Sequence, residues 1–209
     1  MSQDIVRPAS RLQSQILLRS IAVITLALCA FVINAASPAA EPGKEAGTAT
    51  NLPRILVLAT GGTIAGQAES RATGAYKSGQ ITGDQLVQSV PGLDKLAKLS
   101  AEQISSIGSQ DMNDKVWFAL AHRIQQAFDN NEADGIVVTH GTDTLEETIF
   151  FLDNVLKADK PVVIAGSMRP ATAVSADGPS NLYEAVQVAA DPRSRGRGVM
   201  AVLNDKIGK

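Results

Sequence analysis

The chain is predicted to adopt an α/β fold in which helices flank a parallel sheet, and three observations lead to this prediction. Short runs of β-forming apolar residues recur at intervals of roughly 30 residues. Segments with helical periodicity lie between these runs, and each run ends in polar or glycine-rich residues. The pattern is typical of a flavodoxin-like, Rossmann-type sheet whose strands are joined by right-handed crossovers.

Strands are expected at continuous apolar runs, because strands buried on both faces lack polar alternation; they cover 55–58, 104–107, 136–139, 162–165 and 199–203. Helices are expected where apolar residues recur every three or four positions, over 82–90, 93–99, 113–128, 145–156 and 182–189. Asp143 and Glu146 have the spacing of a capping box at the start of the fourth helix. The polar segment 67–80, which contains Tyr76, is expected to be a mobile loop.

Residues 1–36 have the parts of a secretory signal peptide, so the protein is expected to be periplasmic or secreted. Three arginines precede an apolar run over 21–33, and small residues follow it. A retained membrane anchor is the alternative, although the run is shorter than the ~20 residues that a spanning helix needs. Residues 37–53 are rich in Ala, Pro and Gly and are expected to form a flexible linker before a domain over 54–209.

Composition excludes several classes of function. The net charge is −2, so no basic surface invites nucleic acid, and the arginines at 193, 195 and 197 are interpreted as a solvated loop. The single cysteine, Cys29, lies within the predicted signal peptide, and two histidines without a cysteine cluster do not indicate a zinc site. We therefore expect no metal, no cofactor and no stable membrane anchor.

Two threonine-bearing turns, ATGGTIAG at 59–66 and THGTDT at 139–144, directly follow predicted strands. A P-loop would need Lys followed by Ser or Thr where Gln67 and Ala68 stand, and neither the dinucleotide glycine spacing nor a G-x-S-x-G elbow is present. A hydroxyl on a glycine-rich turn at the carboxyl end of a strand suits nucleophilic attack on a carbonyl. A purely structural tight turn is the alternative.

The carboxyl ends of parallel strands open on one edge of the sheet, where ligands bind. The polar residues expected to gather there are Thr60, Thr63, Ser109, Gln110, Asp111, His140, Thr142, Asp143, Ser167 and Arg169. Hydroxyls, carboxylates and an amide suit a small zwitterion that carries an amino group and a carboxylate. Threonine reacts only when a neighbour takes its proton, and Asp143 and Tyr76 are the local candidates.

Several of these residues also suit a purely structural role. Thr142 and Asp143 fit the cap of the following helix, and Gln110 and Asp111 fit the cap of the helix near Asn113. We interpret His140 as a buried imidazole that orients its loop, rather than as a general base. Arg169 would suit a structural ion pair with a carboxylate, and Trp117 would suit a core or groove position.

The chain resembles the bacterial type II (periplasmic) L-asparaginases, especially the glutaminase-asparaginase group. The segments ATGGTIAG and THGTDTLEET resemble the two signature motifs of that family, and GSQDMND at 108–114 and KPVVIAGSMRP at 160–170 match as well. The resemblance implies hydrolysis of the side-chain amide of asparagine or glutamine to the acid and ammonia.

The resemblance also implies roles for individual residues. Thr63 takes the place of the nucleophilic threonine, beside the loop tyrosine Tyr76, and Thr142 matches a second threonine that pairs with a lysine. Ser109, Gln110 and Asp143 match residues that hold the α-carboxylate and α-amino groups of the substrate. Ser167 is expected to join this binding group. Backbone N–H groups of the glycine turn are expected to stabilise the oxyanion.

One departure from the family pattern stands out. The lysine expected to pair with Thr142 would fall near position 215, beyond Lys209, and the smaller C-terminal α/β domain of the family is absent from these 209 residues. We therefore expect an incomplete N-terminal domain that is inactive alone, and the family's homotetramer is not expected of it. An inactive amino-acid-binding remnant is the alternative function, and a nucleotide-binding domain is a weaker one.

Overall fold

The structure is a computed structural model, and it describes residues 51–68, 75–157 and 159–209. The predicted signal peptide and almost all of the predicted linker lie outside the described residues. Within the described part, no helix is both long enough and apolar enough to span a lipid bilayer.

The main sheet has six strands in the order β4-β1-β5-β6-β7-β8, and its first five strands run parallel. This arrangement confirms the predicted fold class. A separate antiparallel ribbon is formed by β2 and β3. The strands are β1 (Arg54–Gly61), β2 (Gln67–Ala68), β3 (Tyr76–Lys77), β4 (Lys98–Ile107), β5 (Gly135–Thr139), β6 (Val162–Ala165), β7 (Val199–Leu203) and β8 (Lys206–Gly208).

Helices cover both faces of the sheet. They are α1 (Gly83–Ser89), α2 (Asp114–Asp129), α3 (Leu145–Val155) and α4 (Gly178–Ala190). Strand β1 shows why two cores form, since alternate side chains point to opposite faces. Ile55 and Val57 pack with α1 and α4, whereas Leu56 and Leu58 pack with α2 and α3. Burial on both faces explains the uninterrupted apolar runs of the central strands.

Two features of the predicted sheet are wrong. The helix expected over 93–99 is only a 3₁₀ turn, Leu93–Lys95, and β4 already begins at Lys98. Because β4 is an edge strand bonded to β1 alone, its side chains are exposed or half-buried, and it lacks a long apolar run. In addition, β8 runs antiparallel to β7 after a turn in which Asn204 and Asp205 adopt positive φ angles of 52° and 58°.

The helix caps decide two alternatives. Asn113 caps α2, since its side-chain oxygen accepts from the Val116 N–H at 3.3 Å, so Gln110 and Asp111 are not the cap. Helix α3 has Thr144 at its N-cap position without a side-chain cap bond. The capping box predicted for Asp143 and Glu146 is therefore wrong, which leaves the Asp143 carboxylate for another role.

Candidate active site

The loops that follow β1, β4, β5 and β6 meet at the carboxyl edge of the sheet. The closest approach joins the first and third loops: a side chain at Gly62 would place its Cβ 2.3 Å from the Gly141 nitrogen. Gly62 also has a φ of +75°, which favours glycine. The two threonine turns singled out in the sequence are therefore packed backbone to backbone.

Thr63 and Tyr76 form a hydroxyl pair on the outer side of this edge. Thr63 opens a 3₁₀ turn, Thr63–Ala65, and its Oγ1 lies 2.7 Å from the Tyr76 hydroxyl. Tyr76 reaches it from β3 and remains 40% exposed. Its ring lies over Gly66, where a Cβ would stand 2.7 Å from the ring carbon Cδ2. Only glycine at 66 leaves room for this pair.

Ser109 and Asp143 join the loops after β4 and β5. The Ser109 hydroxyl donates to Asp143 Oδ2 at 3.0 Å, and the Asp143 N–H donates to Ser109 Oγ at 3.1 Å. The Thr144 hydroxyl adds a bond to the Ser109 carbonyl at 2.9 Å. Ser109 is buried and Asp143 is exposed. The buried serine therefore holds one oxygen of the Asp143 carboxylate, and the carboxylate as a whole remains accessible from solvent.

His140 is fully buried and orients the loop that carries Thr142 and Asp143, as the sequence favoured. Its Nδ1 lies 2.7 Å from the Gly141 carbonyl, and its Nε2 lies 3.0 Å from Thr148 Oγ1, which accepts from the Trp117 indole N–H at 2.8 Å. Burial lowers the pKa of His140, against the smaller opposing effects of the Gly141 carbonyl and the Glu147 charge. The neutral imidazole therefore donates through Nδ1 and accepts through Nε2.

The remaining predicted site residues lie around this frame. The Thr142 methyl group packs beside Gly166, and it would lie 3.2 Å from a Cβ added to that glycine. Within the part of the chain that the structure describes, the Thr142 hydroxyl makes no hydrogen bond to another side chain. Gln110 is exposed, and its amide folds back over Gly108. Ser167 is fully buried, and its hydroxyl donates to the Arg169 carbonyl at 2.9 Å, so in this geometry it is occupied within its own loop.

The Gly62 N–H donates to the Ile107 carbonyl at 2.8 Å, so this one donor of the glycine turn is already bonded. The expectation that other N–H groups of the turn stabilise an oxyanion stays a prediction. One expectation about charge is wrong. The Arg169 guanidinium donates to the Ser175 carbonyl, not to a carboxylate. The Arg169 backbone N–H, by contrast, donates to the Asp177 carboxylate at 2.9 Å.

Sequence reasoning missed Thr144, Thr148 and Thr172. Thr144, at the start of α3, bonds to the loop after β4, and Thr148, in its first turn, bonds to His140. Only their spacing from His140, at four and eight residues, could have indicated these contacts from the sequence. The Thr172 hydroxyl accepts from the Ala68 N–H at 2.8 Å, across 104 positions of sequence, and no local pattern indicates that contact.

The arrangement offers a hydroxyl with a phenol beside it and, on the neighbouring loops, a carboxylate held by a serine. These groups suit acyl transfer on a small substrate that carries an ammonium group. Among the described residues, no cluster of three His, Cys, Asp or Glu side chains is arranged to hold a metal ion.

Comparison with known proteins identifies relatives of the whole described domain. The sequence model described as "Asparaginase, N-terminal" matches residues 54–209. The protein named "Probable L-asparaginase periplasmic" of Haemophilus influenzae is 53% identical over 165 residues, which are 79% of this chain and 47% of that protein. "L-asparaginase 2" of Escherichia coli is 53% identical over 161 residues, 77% of this chain and 46% of that protein.

Two further comparisons extend the group. "Glutaminase-asparaginase" of Pseudomonas fluorescens is 47% identical over 171 residues, 81% of this chain and 47% of that protein. The crystal structure of "Probable Cytoplasmic L-asparaginase" from Campylobacter jejuni superposes with a TM-score of 0.71 at 50% identity, over 74% of this chain and 47% of that one. The chain thus spans about half the length of these relatives.

Proposed function

The chain belongs to the asparaginase family, and we propose that it hydrolyses the side-chain amide of L-asparagine, and also that of L-glutamine, to the acid and ammonia. The family membership supports amide hydrolysis, and the names of the relatives support these two substrates. A single methylene separates the substrates, which a pocket discriminates by only about 1–3 kcal/mol.

The observation that carries this proposal is the hydroxyl pair. Thr63 Oγ1 attacks the amide carbon and forms an ester with it. The C–N bond breaks, and the nitrogen leaves as ammonia after it gains a proton to match the one that the Thr63 hydroxyl loses. Water then cleaves the ester, which restores the hydroxyl and releases the acid. Tyr76, at 2.7 Å, is the only side chain of the described residues that is hydrogen-bonded to Thr63 Oγ1, so it is the proposed proton relay: its oxygen takes the Thr63 proton while its own hydroxyl proton passes to the departing nitrogen.

Substrate anchoring falls to the neighbouring loops in this proposal. The outward carboxylate of Asp143 pairs with the substrate ammonium, and the bond from Ser109 keeps that carboxylate in one orientation. Gln110, on the same exposed edge, supplies a second polar contact for the α-substituents. Thr142 and Ser167 complete the proposed site, with Ser167 acting through its loop in the geometry seen here.

We extend the proposal to the cellular context. The apolar run over 21–33 and its arginine-rich approach support export, as does the periplasmic relative from H. influenzae. The 209-residue chain alone is proposed to be inactive, because Thr142 would act with a lysine that the family pattern places past position 209. A homotetramer is proposed only for a form that includes the second half of the relatives.

Ammonia release provides the test. Residues 54–209 are fused to the second half of the E. coli relative, and the fusion, its Thr63→Ala variant and the 209-residue chain are assayed with L-asparagine and L-glutamine. We expect turnover by the fusion only, with Thr63→Ala lowering kcat at least about 1,000-fold while L-aspartate still binds.

Three different outcomes would redirect the proposal. A fusion that binds L-aspartate by calorimetry but never releases ammonia would favour an amino-acid-binding remnant. Near-normal turnover after Thr63→Ala would move the nucleophile to Thr142. Robust ammonia release by the 209-residue chain would show that its own loops are sufficient for catalysis.

A further inference from the structure

The ribbon formed by β2 and β3 carries Tyr76 but gains little from its own two strands. It pairs Gln67 with Lys77 and Ala68 with Tyr76, and it belongs to a sheet separate from the main one. An isolated two-stranded ribbon is at best marginally stable in water. Contacts outside the ribbon must therefore decide where the Tyr76 hydroxyl lies.

The loop after β6 supplies such contacts on the outer edge of β2. The Ala68 N–H donates to Thr172 Oγ1 at 2.8 Å, and the Ala171 N–H donates to the Gly66 carbonyl at 3.0 Å. In an extended strand, the carbonyl of one residue and the N–H of the residue two positions later point to the same edge. The two bonds thus flank Gln67 and hold β2 between β3 and this loop.

The loop that bears Thr172 is itself fixed. The Asp177 carboxylate accepts from the Met168 and Arg169 N–H groups, each at 2.9 Å, and from the Asn181 side chain at 3.2 Å. Asn181 is buried, and its amide also donates to the Gly166 carbonyl at 2.9 Å. Thr172 therefore extends from a loop that is bonded to α4.

We propose that Thr172 is a positioning residue: its hydroxyl holds Ala68, the pairing of Ala68 with Tyr76 places the phenol, and the phenol meets Thr63. The effect on catalysis rests on the proposed function, whereas the effect on the ribbon does not. Among the described residues, the Thr172 hydroxyl is hydrogen-bonded to Ala68 and not to Thr63 or the proposed anchoring residues, so its proposed influence passes through β2.

Amide hydrogen exchange at Ala68 tests the structural step on the 209-residue chain. Thr172→Val removes the acceptor but keeps the branched shape, Thr172→Ser keeps the acceptor, and Ser175→Ala removes an exposed hydroxyl from the same loop as a control. We expect exchange at Ala68 about 10-fold faster in Thr172→Val and unchanged in the other two variants. Unchanged exchange in Thr172→Val would overturn the proposal.

Kinetics of the fusion test the catalytic step. Thr172→Val should lower kcat about 5-fold with KM unchanged, and Thr172→Ser should restore kcat, because the phenol serves the chemical step and not substrate anchoring. A rise in KM with unchanged kcat would overturn the positioning role. If the unsubstituted fusion releases no ammonia, the proposed function fails, and the exchange data alone decide whether Thr172 holds the ribbon.

Discussion

The two threonine turns lie backbone to backbone yet are built differently. In the first turn, Thr63 has one side-chain partner among the described residues, Tyr76, on a small and largely exposed ribbon. The second turn belongs to what we call the loop network, formed by Trp117, Ser109, His140, Asp143, Thr144 and Thr148, whose members are bonded to one another or to shared backbone groups. In the proposed function, this contrast separates the hydroxyl that reacts from the carboxylate that binds the substrate.

The largest effect is expected at the proposed substrate contact of the loop network. Asp143→Ala in the fusion should weaken L-aspartate binding about 100-fold, because it removes the anion proposed to pair with the ammonium group. Isothermal calorimetry measures this change directly. Asp129→Ala, which removes an exposed carboxylate from the carboxyl end of α2, is the control and should leave the affinity unchanged. An unaltered affinity in Asp143→Ala would mean that this residue only joins two loops.

The interior of the loop network should contribute to stability. His140→Gln should lower the free energy of unfolding by about 2 kcal/mol, since the Gly141 carbonyl and the Thr148 hydroxyl cannot both keep good partners. Urea titration gives this value. The second histidine of the chain, His122, is exposed on α2, so His122→Gln should change stability by less than about 0.5 kcal/mol. Equal losses in both variants would contradict the comparison between buried and exposed positions.

The same histidine should make stability depend on pH. Burial lowers the pKa of His140 below the ordinary 6.5, so the unfolded chain binds a proton that the folded chain resists. The contribution is fully present above about pH 6.5 and is lost as pH falls toward the lower folded-state value. Urea titrations at pH 7.5 and 5.5 should show this loss in the parent chain and in His122→Gln, whereas His140→Gln should lack it. A loss that persists in His140→Gln would assign the pH dependence to other groups.

The sequence predicted the central sheet well because its strands are buried on both faces. Strands β1, β5, β6 and β7 appear as apolar runs, and all lie where expected. The first half of β4 could not be recognised, since one edge and much of its surface face solvent. Residues 98 and 99 were therefore assigned to a helix, and residues 100–103 were assigned to no element.

The candidate site was predictable to the extent that it depends on strand ends. Thr63, Ser109 and Asp143 were singled out because each follows a strand of the parallel sheet, and the structure brings their loops together. The supporting contacts were not predictable in the same way. The bond from Ala68 to Thr172 depends on how two distant loops meet, and the capping pattern at Asp143 was satisfied by spacing but not by geometry.

The smallest effect on stability is expected at the hydroxyl pair. Tyr76→Phe in the fusion should lower kcat about 100-fold, because the phenol is the proposed proton relay for Thr63, and should change the free energy of unfolding by less than about 0.5 kcal/mol at this exposed position. Tyr183→Phe is the control, since the chain contains only these two tyrosines and Tyr183 lies on α4. Ammonia release and urea titration on the same samples separate the two effects. A stability loss as large as that of His140→Gln would show that the ribbon is part of the structural frame, and the division between a reactive turn and a holding turn would fail.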